Sequence, residues 1–251
     1  MSTEKATALV LKLVEFSETS LVLTLFTREF GKIQGLAKGG RRLKGPFESA
    51  LDLLALCRIV FLRKSSEALD LLTEAKLLRR FRPADRDLGS LYAGYYVAEL
   101  LNDLTDQYDP HPELFDLAEG TLAALAAGEP VVLYTARFEL GMLRLLGHLP
   151  SLTTCVECGR EVSLSGRVAF GQLHGGVLCS RCREGKREVA SVSAGVLRLL
   201  QQLAQPESRT WQRLDIPPQS RGELRGVLNR YLVHLLGRKP RMHQYLGTLT
   251  S

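Results

Sequence analysis

The sequence predicts an α+β protein, with an N-terminal five-stranded β-barrel followed by a helical domain that carries a four-cysteine zinc finger. Three observations carry that prediction. Residues 1–82 hold five short runs with the alternation of strands and no helical stripe. From Leu88 the apolar residues change to helical spacing. Between Cys155 and Cys182 the chain reads Cys-x2-Cys, a gap of 20 residues, then Cys-x2-Cys.

Taken in order, residues 6–16 (ATALVLKLVEF) and 20–27 (SLVLTLFT) are rich in β-branched and aliphatic side chains and too short for helices. Both read as strands. The turn Arg28 to Gly31 leads into KIQGLAK (32–38), a third strand antiparallel to the second. After the loop GGRRLKGPFES come LLALCRIVFLRK and ALDLLTEAKLL. In the last of these, Leu69, Leu71, Thr73, Ala75 and Leu77 are expected on the face opposite Asp70, Glu74 and Lys76. Five strands with no helix between them fit a closed OB-type barrel, whose loops and one strand face bind oligonucleotides; an SH3-like barrel is the competitor.

LYAGYYVAELLNDL is apolar nearly all round, like a helix buried among others. Pro112 then suits the first turn of a second helix, which Gly128 stops, and a third runs from Val131 to Leu146. Beyond the cysteines, one stripe through Val196, Leu199, Leu200 and Leu203 and another through Leu224, Val227, Leu228, Tyr231 and Leu232 mark two more. The domains are therefore 1–82 (barrel) and 83–251 (helical), with a zinc-binding insertion at 153–185.

Thiolates two residues apart on a tight knuckle can face one tetrahedral ion, so Cys155, Cys158, Cys179 and Cys182 are the candidate ligands of one Zn2+. Four cysteines leave no open coordination position, and the metal is expected to hold structure rather than do chemistry. His174, between the pairs, is of a ligating type, but the set is already complete. Cys57, in L-A-L-C-R-I-V-F, reads as a small core residue.

The formal net charge is +6, unevenly spread. Residues 1–82 carry 15 Lys/Arg against 9 Asp/Glu, 83–150 carry 3 against 11, and 151–251 carry 15 against 7. An anionic partner is expected at the basic ends and not at the acidic middle. The sharpest cluster is A-K-G-G-R-R-L-K-G, where Lys38, Arg41, Arg42 and Lys44 are interleaved with glycines that allow close approach to phosphates. It lacks the spacing of a nucleotide-binding P-loop. Arg63, Lys64, Arg79, Arg80 and Arg82 complete the candidate DNA-binding set, and the zinc-finger arginines Arg160, Arg167, Arg181 and Arg183 would extend it. Phe47, Tyr92 and Tyr245 are as compatible with packing as with stacking on bases, and Trp211 fits packing better.

No zinc-deaminase signature, Gly-x-Ser-x-Gly or His-Glu-x-x-His occurs, so no catalytic residue is assigned and the chain reads as a non-enzyme. No run of 18 apolar residues and no signal core in MSTEKATALV point to membrane or secretion, and the expected location is the cytoplasm.

Taken jointly, S-E-T-S-L-V-L-T-L-F-T, A-K-G-G-R-R, P-E-L-F and F-E-L…G-H-L-P…C-V-E-C-G-R resemble the RecO family of bacterial recombination mediators over nearly the full length. The resemblance implies an OB domain, a helical domain with a zinc site, and no turnover of substrate. It also implies binding of single- and double-stranded DNA, annealing of complementary strands, and work with RecR to help RecA replace single-strand-binding protein near the nucleoid. Two other readings differ in class: a protein adapter with a basic docking face and incidental DNA contact, and a zinc hydrolase or deaminase, which needs an open metal position.

Overall fold

The computed structural model describes residues 2–42, 45–47, 50–64, 68–83, 87–206 and 210–246. Five strands, β1 (Ser2–Glu15), β2 (Leu21–Thr27), β3 (Gly31–Ala37), β4 (Leu56–Arg63) and β5 (Asp70–Arg79), are followed by helices α1 (Leu88–Leu104), α2 (Pro112–Ala126) and α3 (Val131–Leu145). Strands β6 (Arg167–Gly171), β7 (Gly176–Leu178) and β8 (Val189–Ser193) come next, then α4 (Ala194–Ala204), α5 (Pro218–Leu236) and the short α6 (His243–Leu246). Two compact units divide the chain, Met1–Glu129 and Pro130–Ser251, so α1 and α2 belong with the barrel strands.

β1 to β5 close in the order β1-β2-β3-β5-β4, with β3 and β5 parallel and the other pairs antiparallel. That order, closed by β1 against β4, is the OB arrangement and leaves the barrel without a free sheet edge. Ala6, Ala8, Val10, Leu23, Leu25, Ile33, Ile59, Phe61 and Leu72 fill the interior. Each large aliphatic or aromatic side chain of this kind contributes about 1.5–3 kcal/mol by leaving water.

Three register shifts interrupt the barrel pairings, one of them between Leu56 and Cys57 opposite β5, and the other two set which side chains point in. In β1 the pairing with β2 slips between Val10 and Lys12, so beyond Leu11 it is Leu13 that packs on the core while Val14 turns out. In β5, Glu74 pairs Val60 and Leu72 pairs Phe61, leaving Thr73 as the extra residue. The strict alternation expected from sequence for β5 therefore holds only at Ala75 and Leu77. Before the bulge, Leu72 points in, Asp70 is buried at 3% exposure, and Leu71 faces outward.

The helices start and stop where their chemistry dictates. Asp87 accepts a hydrogen bond from the Ser90 amide to cap α1, and Pro112 and Pro218 open α2 and α5, whose end is Gly237 in the left-handed region. The C-terminal carbonyls of α1 are met by a side chain from the barrel: Lys32 Nζ donates to the carbonyls of Asn102, at 2.6 Å, and Thr105. Burial pulls that ammonium below its ordinary pKa, while Asp106 and Asp103 oppose the shift. Phe115 of α2 lies 6.1 Å from the outward-facing Phe26 of β2, covering that part of the barrel surface.

In the second unit, α3, α4 and α5 pack with a three-stranded sheet of order β7-β6-β8. The sequence reading contained no strands here; β7 has only 3 residues and the others 5, too short to establish a period. Arg225 of α5 makes a bidentate pair with the fully buried Glu139 of α3, at 2.6 and 3.0 Å. Trp211 packs edge-on against Tyr134, with ring centroids 5.1 Å apart.

Replacing Glu139 with alanine strands the Arg225 guanidinium away from water, and urea unfolding should show a loss of about 3–5 kcal/mol. The double replacement Glu139→Leu with Arg225→Met should recover most of that loss.

Candidate functional site

At one end of the barrel two segments meet. The first is the tip of the β1–β2 hairpin, closed by hydrogen bonds from the amides of Phe16 and Ser17 to the carbonyl of Ser20, at 3.0 and 3.3 Å. The second is the loop that leaves β3, where Lys38, Arg41 and Arg42 are all exposed. The loop turns at once because Gly39 takes φ +77°, a region that costs an ordinary side chain about 1–2 kcal/mol. Gly40 is held just as closely, since a Cβ there would lie 3.2 Å from the carbonyl oxygen of Ala37.

Arg41 ties the two segments together. Its amide donates to the Thr19 carbonyl at 3.1 Å, and its guanidinium pairs with Glu15 at 3.0 Å. Lys38 and Arg42 have no carboxylate within ion-pair distance among the described residues. Lys44, the fourth cation of the cluster, lies outside the described residues.

The remaining barrel cations separate into two groups. Arg63 ends β4 and Lys64 follows it, beside the start of β5, the part of β5 that pairs with the end of β3. Arg63 lies over the Tyr108 ring at 4.1 Å. The Tyr108 hydroxyl donates to Asp70, and burial with the Asp70 carboxylate pushes that phenol well above its usual range. The Lys64 amide donates to Asp70 at 3.0 Å. Arg79, Arg80 and Arg82 come at the far end of β5, nine residues and about 30 Å along the strand from Asp70. Arg79 pairs there with Glu119 of α2 at 3.1 Å. The structure thus brings Lys38, Arg41 and Arg42 together, sets Arg63 and Lys64 beside the neighbouring strands, and leaves the arginines from 79 to 82 elsewhere.

The aromatic residues sort clearly by exposure. Phe47 is buried in the barrel at 3% and Tyr92 is half-buried, whereas Tyr245 is 41% exposed. Phe16, which the sequence reading did not single out, is 66% exposed at the hairpin tip. Alternation alone would have put it inside with Ala6, Ala8 and Val10; the slip at Leu11 reverses that parity.

The four cysteines of the second unit converge, with all their Sγ atoms within 4.8 Å of one another. Two knuckles aim them: the Gly159 amide donates to the Cys155 carbonyl at 2.8 Å, and the Arg183 amide to the Cys179 carbonyl at 3.1 Å. Cys158 Sγ and Cys179 Sγ are 3.9 Å apart, far beyond a disulfide bond of about 2.05 Å. The separation matches the edge of about 3.8 Å of a tetrahedron with 2.3 Å metal–sulfur bonds. Burial alone would raise the Cys155 thiol, but backbone N–H groups of Cys179, Cys158 and Glu157 bring it down to about 6. Cys182, beside the Cys179 sulfur, is pushed up to about 12. A divalent cation would remove that conflict by letting all four sulfurs ionise. Of the nearby arginines, Arg160, Arg181 and Arg183 are exposed, while Arg167 is engaged with Glu223 at 2.8 Å.

Among the described residues no helix is long and apolar enough to cross a membrane. A family model described as "Recombination protein O N terminal" matches residues 1–81, and one described as "Recombination protein O C terminal" matches residues 85–244. The chain is similar to the "DNA repair protein RecO" of Rhodopirellula baltica, 43% identical over 95% of this chain and 97% of the relative. It is also similar to proteins of the same name from Anaeromyxobacter dehalogenans strain 2CP-1, 34% identical over 99% of this chain and 98% of that one, and Moorella thermoacetica, 31% identical over 98% and 91%.

Cys57 stands apart from the metal cluster. It is fully buried, its thiol donates to the Ala50 carbonyl at 3.0 Å, and burial pushes it up to about 12. Alkylation of the native protein at pH 8 followed by peptide mapping should leave Cys57 unmodified until the chain is unfolded.

Proposed function

The chain belongs to the RecO family of DNA repair proteins, and from that premise we propose that it is a non-enzymatic mediator of recombinational repair. In this reading it binds single- and double-stranded DNA, anneals complementary strands, and acts with RecR to help load RecA on strands coated by single-strand-binding protein. It does so in the cytoplasm, at the nucleoid. Residues 1–82 serve as the OB domain and 83–251 as the helical domain with its metal-bearing insertion.

The observation that supports this reading best is the exposed cationic loop of Lys38, Arg41 and Arg42, braced against the hairpin tip of an OB-type barrel. Cations on a fixed loop displace the counterions condensed on phosphates, and that release supplies affinity without reading sequence. They also screen the repulsion between two backbones, which two strands must overcome before they pair. Among the described residues the one ion pair these three cations make is that of Arg41 with Glu15.

Cys155, Cys158, Cys179 and Cys182 would hold one Zn2+. The all-sulfur donor set suits zinc, and four thiolates complete its tetrahedron with no position left for water or substrate. Zinc there would supply cross-linking of two knuckles rather than chemistry.

In the charge-reversed protein Lys38→Glu, Arg41→Glu, Arg42→Glu, anisotropy of a labelled single strand at moderate salt should show at least a tenfold weaker complex. The slope of log affinity against log salt should be shallower by roughly 2–3, and annealing should slow with it. Normal binding and annealing by this variant would remove the reading. For the metal, elemental analysis should find one zinc per chain, reduced in Cys158→Ser. That variant should lose melting temperature before it loses DNA affinity; a zinc-stripped protein that stays folded yet stops annealing would reverse the assignment.

A further inference from the structure

From the outer surface of the barrel we infer a second component of DNA recognition, separate from the cations: an apolar platform headed by Phe16 that holds the unstacked bases of a single strand. The inference rests on the DNA-binding reading above and adds to it the group that tells single strands from duplex.

The register of the barrel draws the platform. Val14 of β1 pairs with Val22 of β2, Val22 with Leu36 of β3, Leu36 with Leu71 of β5, and Leu71 with Leu62 of β4. Their neighbours Leu13, Leu21, Leu23, Ala37, Leu72 and Phe61 point into the core, so by alternation these five point out. Val14 is 45% exposed and the other four are half-buried; the row follows the closed barrel round to Leu62, which pairs with Thr3 of β1, so the part that lies with Phe16 is Val14, Val22 and Leu36. Phe16 follows Val14 by two residues on the same side. Its backbone is fixed by the hydrogen bond to Ser20, yet its ring is 66% exposed. An aromatic ring held by its backbone and left in water is preorganised for a flat apolar partner.

Charge complementarity selects that partner. Lys38 lies two residues from Leu36 and on the same side, and the Arg41 loop is bonded to the hairpin that carries Phe16. The apolar residues at this end of the barrel therefore have cations beside them, as bases have phosphates along one strand. In a duplex the base faces are stacked on one another and cannot reach such a surface. In a single strand they can, and each base stacked on an aromatic ring contributes severalfold to affinity. Holding bases by their faces also leaves their pairing edges free for a second strand, which annealing needs.

The test compares full-length wild type, Phe16→Ala and Phe16→Tyr by anisotropy on three labelled probes: a 30-nucleotide single strand, the same strand with an abasic run, and a 30-bp duplex. Phe16→Ala should weaken single-strand binding about 5- to 100-fold. It should leave duplex binding within about twofold and the salt slope unchanged, and abolish the preference for bases over the abasic run. Phe16→Tyr should keep both affinity and preference. Equal losses on single strand and duplex, no loss on either, or a wild type indifferent to abasic sites would each overturn the platform. If Phe16→Ala changes nothing while the Lys38, Arg41, Arg42 charge reversal still abolishes binding, the platform alone fails and the cationic site stands. If wild type binds no probe better than an unrelated protein of equal charge, both fail.

Discussion

Between Val10 and Lys12 the register of β1 slips by one residue, and much of the barrel's outer surface follows from that slip. Before it, Ala6, Ala8 and Val10 fill the core and the strand pairs with β4 as far as Leu9 and with β2 from Ala8; after it, Leu13 takes the inward position and the strand pairs with β2 alone. A bulge lets one strand bend enough to belong to both sides of a closed barrel. It also inverts the face on which later residues lie. Val14 and Phe16 are outside because Leu11 is an extra residue, and the hairpin tip that carries Phe16 is the support to which the Arg41 loop is tied.

The same physics explains what could be read from the sequence. All five barrel strands and the five long helices were legible, because each presents several turns or pleats of one period, as in α2 from Pro112 or β2 from Leu21. The cysteine quartet was legible because each Cys-x2-Cys pair is short enough to face one ion, and the structure brings the two pairs together. Inner and outer faces were not, wherever a bulge intervened. Asp70 and Leu71 exchanged faces in β5, and the exposed face of Phe16 could not be assigned, since period-two reasoning carries no marker for one inserted residue. The strands from β6 to β8 were missed for another reason. They are held by pairing to one another and by burial of Phe170, Val177 and Val192, none of which a run of 3 to 5 residues announces.

That small sheet shows how the second unit is assembled. Its outer strand β7 is joined to the first cysteine knuckle, with the Val156 amide donating to the Val177 carbonyl at 3.1 Å and the Val177 amide to Ser151 at 2.9 Å. Its opposite edge meets the helices through Glu223 of α5, which accepts from the Ser193 hydroxyl at 2.5 Å and from Arg167 at 2.8 Å. Cys155, Ala169 and Leu178 form only a small core. A core of that size cannot fix two loops by apolar burial, and a metal clip is the stabilisation available to such a module.

The arrangement of the cationic loop bears on how a strand could be held and still be released. Arg41 is fixed by Glu15 and Thr19, so it positions the loop, while Lys38 and Arg42 stand in solvent. An ion pair as exposed as Arg41–Glu15 is worth about 0–1 kcal/mol, so a phosphate can share Arg41 with little loss. The loop therefore need not rearrange to receive a backbone, and the cost of binding falls mainly on ordering the strand itself. Affinity built from a few screened charges and one stacked ring is modest per nucleotide and weakens steeply with salt. Those properties would suit the strand-annealing role proposed above.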